Sequence, residues 1–166
     1  MFRDARLRRI ARFLRSIGIP VLGSTIETAT VFPGTLISGG RLVVDETNVV
    51  AIGDPLHEAA HIALAPPARR ASDAHFLHDA DPGEELAAIS WCWAASVKLD
   101  LEPHDVFHEN AYPRGDSQTI IDAAQRRVFI GLPLLQAWGL AFDDETARAR
   151  GLKPFPHMMC WMRKAG

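Results

Sequence analysis

Cysteine is scarce in this chain of 166 residues: only Cys92 and Cys160 occur, and they do not form a CxxC pair. The missing spacing excludes a dithiol redox pair and a thiolate zinc site, so both read as buried thiols between apolar neighbours. Charge of one sign is also lacking, since 18 Lys and Arg stand against 20 Asp and Glu for a net of −2. That balance argues against a surface devoted to nucleic acid, because neutralising several phosphates takes a concentrated basic face. No run approaches the ~20 uninterrupted apolar residues of a membrane span. A hydrophobic content of 48% with so little net charge excludes intrinsic disorder. The opening MFRDARLRRIARFLRSIG has no long apolar stretch before a small-residue cleavage site, so it does not read as a secretory signal and a cytoplasmic location is expected. Repeats and low-complexity segments are absent as well. The length suits a single domain, 1–166, expected as a core unit over about 20–100 with a helical extension over about 101–166.

What is present begins with a basic helix. Leu7, Ile10, Ala11, Leu14 and Ile17 keep helical spacing while Arg3, Arg6, Arg8, Arg9, Arg12 and Arg15 crowd the other faces, which predicts a helix over residues 3–17 stopped near Gly18 and Pro20. Its arginines read first as the solvated face of a docked helix, ahead of a lipid or nucleic-acid contact. From Val21 to Val50 the texture turns to β-branched runs broken by Gly and Pro, with Gly39-Gly40 between two apolar runs. Both central positions of a type I′ turn need positive φ, so this dipeptide predicts a hairpin in a small, mostly antiparallel sheet. Three apolar segments follow, DPLHEAAHIAL, DPGEELAAISWCWAASVKLDL and IDAAQRRVFIGLPLLQAWG, each with helical character. Helix, short sheet, then helices predicts an α+β fold.

The segment GDPLHEAAHIAL carries the chemistry. Asp54 stands where an N-cap belongs and Pro55 where a first helical residue tolerates losing its N–H, so a helix starting there puts His57 and His61 on one face. Imidazoles at i and i+4 can bind one zinc ion, and Glu58, one step round, can act on a water beside it. His57-Glu58-Ala59-Ala60-His61 fits HExxH, and the small Ala59 and Ala60 let a second helix approach closely. A third ligand is needed. Asp81-Pro82-Gly83-Glu84 reads as a capping sequence, which gives Glu84 a local role, whereas Glu85 has none on a helix rich in Leu, Ala, Ile and Trp. Glu85 is therefore the first candidate, with Glu84, His75 and His78 as alternatives. Beyond the helices, EPHDVFHENAYPRG offers His104, His108 and the single tyrosine, Tyr112. His108 and Tyr112 are candidate donors to a developing oxyanion, and HDVFH is a faint echo of a second metal pattern. Met158, Met159, Trp161 and Met162 read as core first, and second as an interface for a protein partner or another copy of the chain.

HExxH followed by a glutamate on a second helix resembles the gluzincin arrangement. More narrowly, TLISGGRLVVDE, DPLHEAAHIAL and EELAAISWCWAA, within residues 35–97, resemble the ImmA/IrrE type of minimal gluzincin metallopeptidase. The resemblance implies a strand before the HExxH helix, Zn²⁺ on His57, His61 and a glutamate of the next helix, Glu58 as general base, and hydrolysis of a peptide or protein substrate lying along the Ile37–Val44 hairpin. A non-catalytic metal-binding or regulatory protein on the same scaffold is the alternative. Glu58 separates the two, because a closed structural zinc site needs no base beside it.

Overall fold

Asp4 decides where the first helix begins. The computed structural model describes residues 2–70, 82–112 and 115–164, and in it the Asp4 carboxylate accepts the N–H groups of Arg6 at 2.6 Å and Leu7 at 3.1 Å, capping helix α1, Ala5–Ser16. Glu46 fixes the approach by accepting the N–H groups of Arg3 and Asp4. Leu7, Ile10, Ala11, Phe13 and Leu14 form the buried stripe. Ile17, expected in that stripe, lies past the helix end and is half-buried.

The three strands β1 (Val21–Gly23), β2 (Thr35–Ser38) and β3 (Arg41–Val44) are ordered β1-β3-β2. Gly39 and Gly40 take φ of 55° and 72°, as a type I′ turn requires, and β2 and β3 pair antiparallel with Ser38 opposite Arg41. The sheet is mixed rather than mostly antiparallel, because β1 runs parallel to β3 with Val21 opposite Leu42. β3 is thus central and β2 alone forms an open edge on the hairpin side.

Asp45 ties the loops beyond this sheet together. It is buried and accepts the N–H of Ile26, the N–H and O–H of Thr47, and the Asn48 amide. The Thr47 hydroxyl and the Ile26 N–H hold its carboxyl below the usual range, against the opposing effect of burial. A depressed folded pKa contributes stability that is present above the unfolded value of about 3.9 and lost as pH falls through the folded one. Asp45→Asn is therefore expected to destabilise the protein at pH 6, with the gap to wild type narrowing as urea unfolding is repeated toward pH 3. A constant gap would contradict this role.

Helix α2, Asp54–Leu64, runs through the centre, and all of its residues are buried. It lies against the hairpin on one side and against α3, Pro82–Leu99, on the other. Ala59, Ala60 and Ala63 of α2 and Ala87, Ala88, Ala94 and Ala95 of α3 are all buried in the same core, and such small side chains let two packed helices come close. Four short helices follow: α4 (Pro103–Val106), α5 (Asp116–Gln125), α6 (Leu132–Ala137) and α7 (Asp144–Ala149). The segment from Ile121 to Gly139, expected as one helix, is two. After α5 the backbone of Arg127 turns left-handed (φ 61°), and α6 begins at Leu132 with Pro133 in its first turn. The fold is α+β, and one hydrophobic core runs from Phe2 to Met158. Among the described residues no helix is long and apolar enough to cross a membrane.

The late methionine-rich segment joins this core in part. Met158 is buried, Met159 is exposed, and Trp161 stacks edge-on against Trp91 and Phe13, with ring centroids 5.3 and 4.8 Å away. The Trp91 indole N–H donates to the Trp161 carbonyl at 3.0 Å. Cys92 is buried and Cys160 half-buried, and both are free.

Candidate metal centre

One helical turn separates His57 from His61, and their rings converge. The two Nε2 atoms are 3.1 Å apart, and the Glu85 carboxylate reaches each of them at 3.5 Å with a different oxygen. Among the described residues these three are the only group of His, Cys, Asp or Glu side chains gathered in this way. The fit to zinc can be checked by distance. Two ligand atoms held 2.0–2.1 Å from one ion at tetrahedral angles stand about 3.3–3.4 Å apart, and the observed separations bracket that spacing. The donor set of two imidazoles and a carboxylate also matches an open zinc site that leaves one position for water. The histidine side chains are buried while that of Glu85 is 44% exposed, so the group opens to solvent on the Glu85 side.

Chain order places the third member of the group. Glu85 lies in the first turn of α3, one position past Glu84, and the neighbouring acid points elsewhere. Glu84 accepts from Arg69 at 2.8 and 2.9 Å and from Arg163 at 3.3 Å, and only 16% of its side chain is exposed. Two guanidinium groups thus hold Glu84, and Glu85 alone faces the histidines. Arg163 is itself anchored, since its N–H donates to the Ala63 carbonyl at the end of α2 and its guanidinium lies 4.1 Å from the Trp138 ring centre. The alternatives His75 and His78, and the capping role given to Asp81, lie outside the described residues.

Tyr112 stands behind the first histidine. Its hydroxyl is 2.9 Å from His57 Nδ1. For the Nε2 lone pair to face a cation the Nδ1 proton must be donated, and the phenolic oxygen is there to accept it. Burial pushes the Tyr112 phenol well above its usual pKa, reinforced by the negative charges of Glu85 and Asp54, so it stays protonated. In this position the Tyr112 hydroxyl orients the His57 ring. Phe32 covers another side of the ring with centroids 4.8 Å apart. Cys92, two turns along α3 from Glu85, is fully buried, and burial together with the Glu85 charge pushes its thiol up, which makes it an inert neighbour.

Asp54 is not the N-cap of α2. Gly53 occupies that position without a side-chain bond, and Asp54 is instead a buried acid whose carboxylate accepts from His108 Nε2 at 2.7 Å and from the Ala51 N–H at 3.2 Å. Burial pushes its pKa up and the His108 bond opposes that rise. Gly53 makes the pairing geometrically feasible. A Cβ there would sit 2.4 Å from Val106 Cα, so only glycine lets α4 lie against the start of α2, where the Gly53 N–H donates to the Asp105 carbonyl at 2.9 Å. His108 follows directly and falls onto Asp54. Its Nδ1 is buried and has no hydrogen-bond partner among the described residues. His104 is exposed on the one-turn helix α4, and His108 lies beyond its end, so the HDVFH echo does not assemble a second metal group.

No protein-family model, curated protein or solved structure matches the chain. The residues themselves therefore carry the functional reading. Three participants escaped the sequence: Asp54, mistaken for a cap, and the two arginines on Glu84. Asp54 had a local signal, because it precedes His57 by three positions and so shares its helical face. The arginines had none.

Proposed function

We propose that the chain is a zinc-dependent peptidase of minimal gluzincin type, with His57, His61 and Glu85 as ligands. The convergence of two Nε2 atoms and a carboxylate at near-tetrahedral spacing, on a helix that also carries Glu58, supports this reading most. When bound, a zinc ion supplies Lewis acidity toward a carbonyl and a water whose pKa falls to about 7. Glu58, buried on α2 between the two histidines in sequence, takes a proton from the attacking water at its carboxylate and returns it to the leaving nitrogen. Tyr112 holds His57 in the tautomer that leaves Nε2 free to ligate. Asp54 holds the His108 ring through Nε2 at 2.7 Å, and in this reading His108 is a donor to the scissile carbonyl oxygen as negative charge grows there.

The substrate in this reading is an extended peptide. β2 is an edge strand packed on α2, and alternation of the antiparallel ladder from the Ser38–Arg41 pair turns the N–H and C=O of Ile37 away from β3. A peptide strand pairing there would lie beside the helix that carries the histidines.

Zinc content measured by mass spectrometry on protein purified without chelators tests the centre directly. About one zinc per chain is expected in wild type and in Glu84→Gln, and little in His57→Ala or Glu85→Ala. Failure of the wild type to take up supplied zinc at neutral pH would remove the proposal, and full zinc in Glu85→Ala would remove the third ligand.

A further inference from the structure

A net charge of −2 conceals a strong separation. Residues 1–20 carry six arginines against one aspartate, a local net of +5, which leaves −7 on the rest of the chain. Docking of α1 concentrates that charge. With Leu7, Ile10, Ala11, Phe13 and Leu14 turned into the core, the opposite face presents Arg8, Arg9, Arg12 and Arg15, and no acidic residue interrupts it within the helix. Arg9, Arg12 and Arg15 are exposed and Arg8 is half-buried.

The acids near this helix are already engaged. Asp4 caps α1, Glu46 accepts backbone N–H groups, and Asp4 and Asp105 pair with Arg6 at its edge. Three guanidinium groups of the face are aimed by backbone carbonyls: Arg8 donates to Phe2 and Arg3, Arg9 to Asp100, and Arg15 to Val21. Carbonyl acceptors fix direction without cancelling charge. Arg12 has no hydrogen bond or ion pair with the described residues, and with Arg8 it lines both of two adjoining surface depressions, one extended by Arg6 and Arg9 and the other by Arg15. Arg8 and Arg12 are like charges at i and i+4, and Arg9 and Arg12 at i and i+3, which opposes helix formation. The crowding therefore costs stability, and at Arg12 no hydrogen bond or ion pair with the described residues offsets it.

We propose that this face of α1 binds the phosphodiester backbone of a nucleic acid. Guanidinium forks match phosphate oxygens bidentately, and four uncompensated forks on one helix side form a contiguous phosphate track. An anionic membrane fits less well, because a helix lying in lipid needs its apolar face free and here that face is the protein core. The surface shares no residue with the proposed metal centre, so the two stand or fall separately.

The test is fluorescence anisotropy of a labelled mixed-sequence oligonucleotide of about 20 nucleotides, single-stranded and duplex, titrated with the full chain at several salt concentrations. Four contacts predict a slope of log K against log salt near −3, at about 0.7–0.9 per phosphate neutralised. Arg12→Gln, which removes no contact within the described chain, is expected to reduce that slope by about 1, and the Arg12→Gln/Arg15→Gln pair by about 2, with the unfolding temperature of the single variant equal to or slightly above that of wild type. Lys98→Gln/Lys153→Gln removes equal charge elsewhere and is expected to leave the slope in place. Equal slopes in wild type and Arg12→Gln, or an equal loss in the lysine pair, would overturn the proposal. Retention on phosphatidylserine vesicles with no anisotropy change on either oligonucleotide would overturn it in favour of a membrane.

Discussion

Replacing Glu58 with glutamine is expected to leave zinc content at the wild-type level while hydrolysis of a cleaved peptide falls by roughly 10²–10⁴, the usual worth of a general base. The separation of the two readouts follows from position. Glu58 lies one residue from His57 and so about 100° round the helix from it, while His57 and His61 share a face, and the group that brings ligand atoms together is His57, His61 and Glu85. A glutamine side chain preserves volume and leaves those three in place, but its amide cannot take the proton from water. Mass spectrometry for the metal and a chromatographic assay of peptide products check the two halves. Unchanged turnover would remove the base from the mechanism and leave a scaffold that holds zinc without using it in this way.

The second large effect belongs to Trp91. It is fully buried on α3, its ring packs against Trp161 and Phe13, and its N–H is satisfied by the Trp161 carbonyl. Trp91→Ala loses the transfer energy of the ring and leaves a cavity, a destabilisation of about 3–5 kcal/mol for such truncations. For a chain of this size each kcal/mol moves the unfolding temperature by roughly 2–4 °C, so a fall of about 6–20 °C is expected by calorimetry. Trp91→Phe keeps most of the volume and is expected to fall less, the remaining loss reflecting the Trp161 carbonyl left without its donor. A fall of a degree or two in the alanine variant would show that the aromatic cluster can collapse into the space.

The parts of the centre written locally were legible. His57, Glu58 and His61 fix their own geometry once a helix forms, and Gly39-Gly40 fixes its turn through positive φ. Glu85 was favoured because its neighbour had a competing role, and that reasoning reached a useful answer by an incomplete route: Glu84 is occupied by Arg69 and Arg163, 15 and 79 positions away. The parallel pairing of β1 with β3 was hidden because antiparallel hairpins announce themselves in their turns, whereas a parallel pair is made by the intervening fold. The bond between Asp54 and His108 spans 54 positions and depends on a close approach at Gly53 that no local pattern encodes. The break between α5 and α6 rests on a left-handed arginine, a conformation unusual for that residue type.

The anchoring of Arg163 has a bearing on biosynthesis. Its guanidinium reaches the Leu64 carbonyl across 99 positions and grips the acid beside Glu85. At ribosomal speeds of about 5–20 residues per second, the two histidines are translated roughly 5–20 s before that brace exists. For that interval Glu84 can have Arg69 but not Arg163 as a partner, so the second guanidinium on the acid beside Glu85 is a late addition to each molecule.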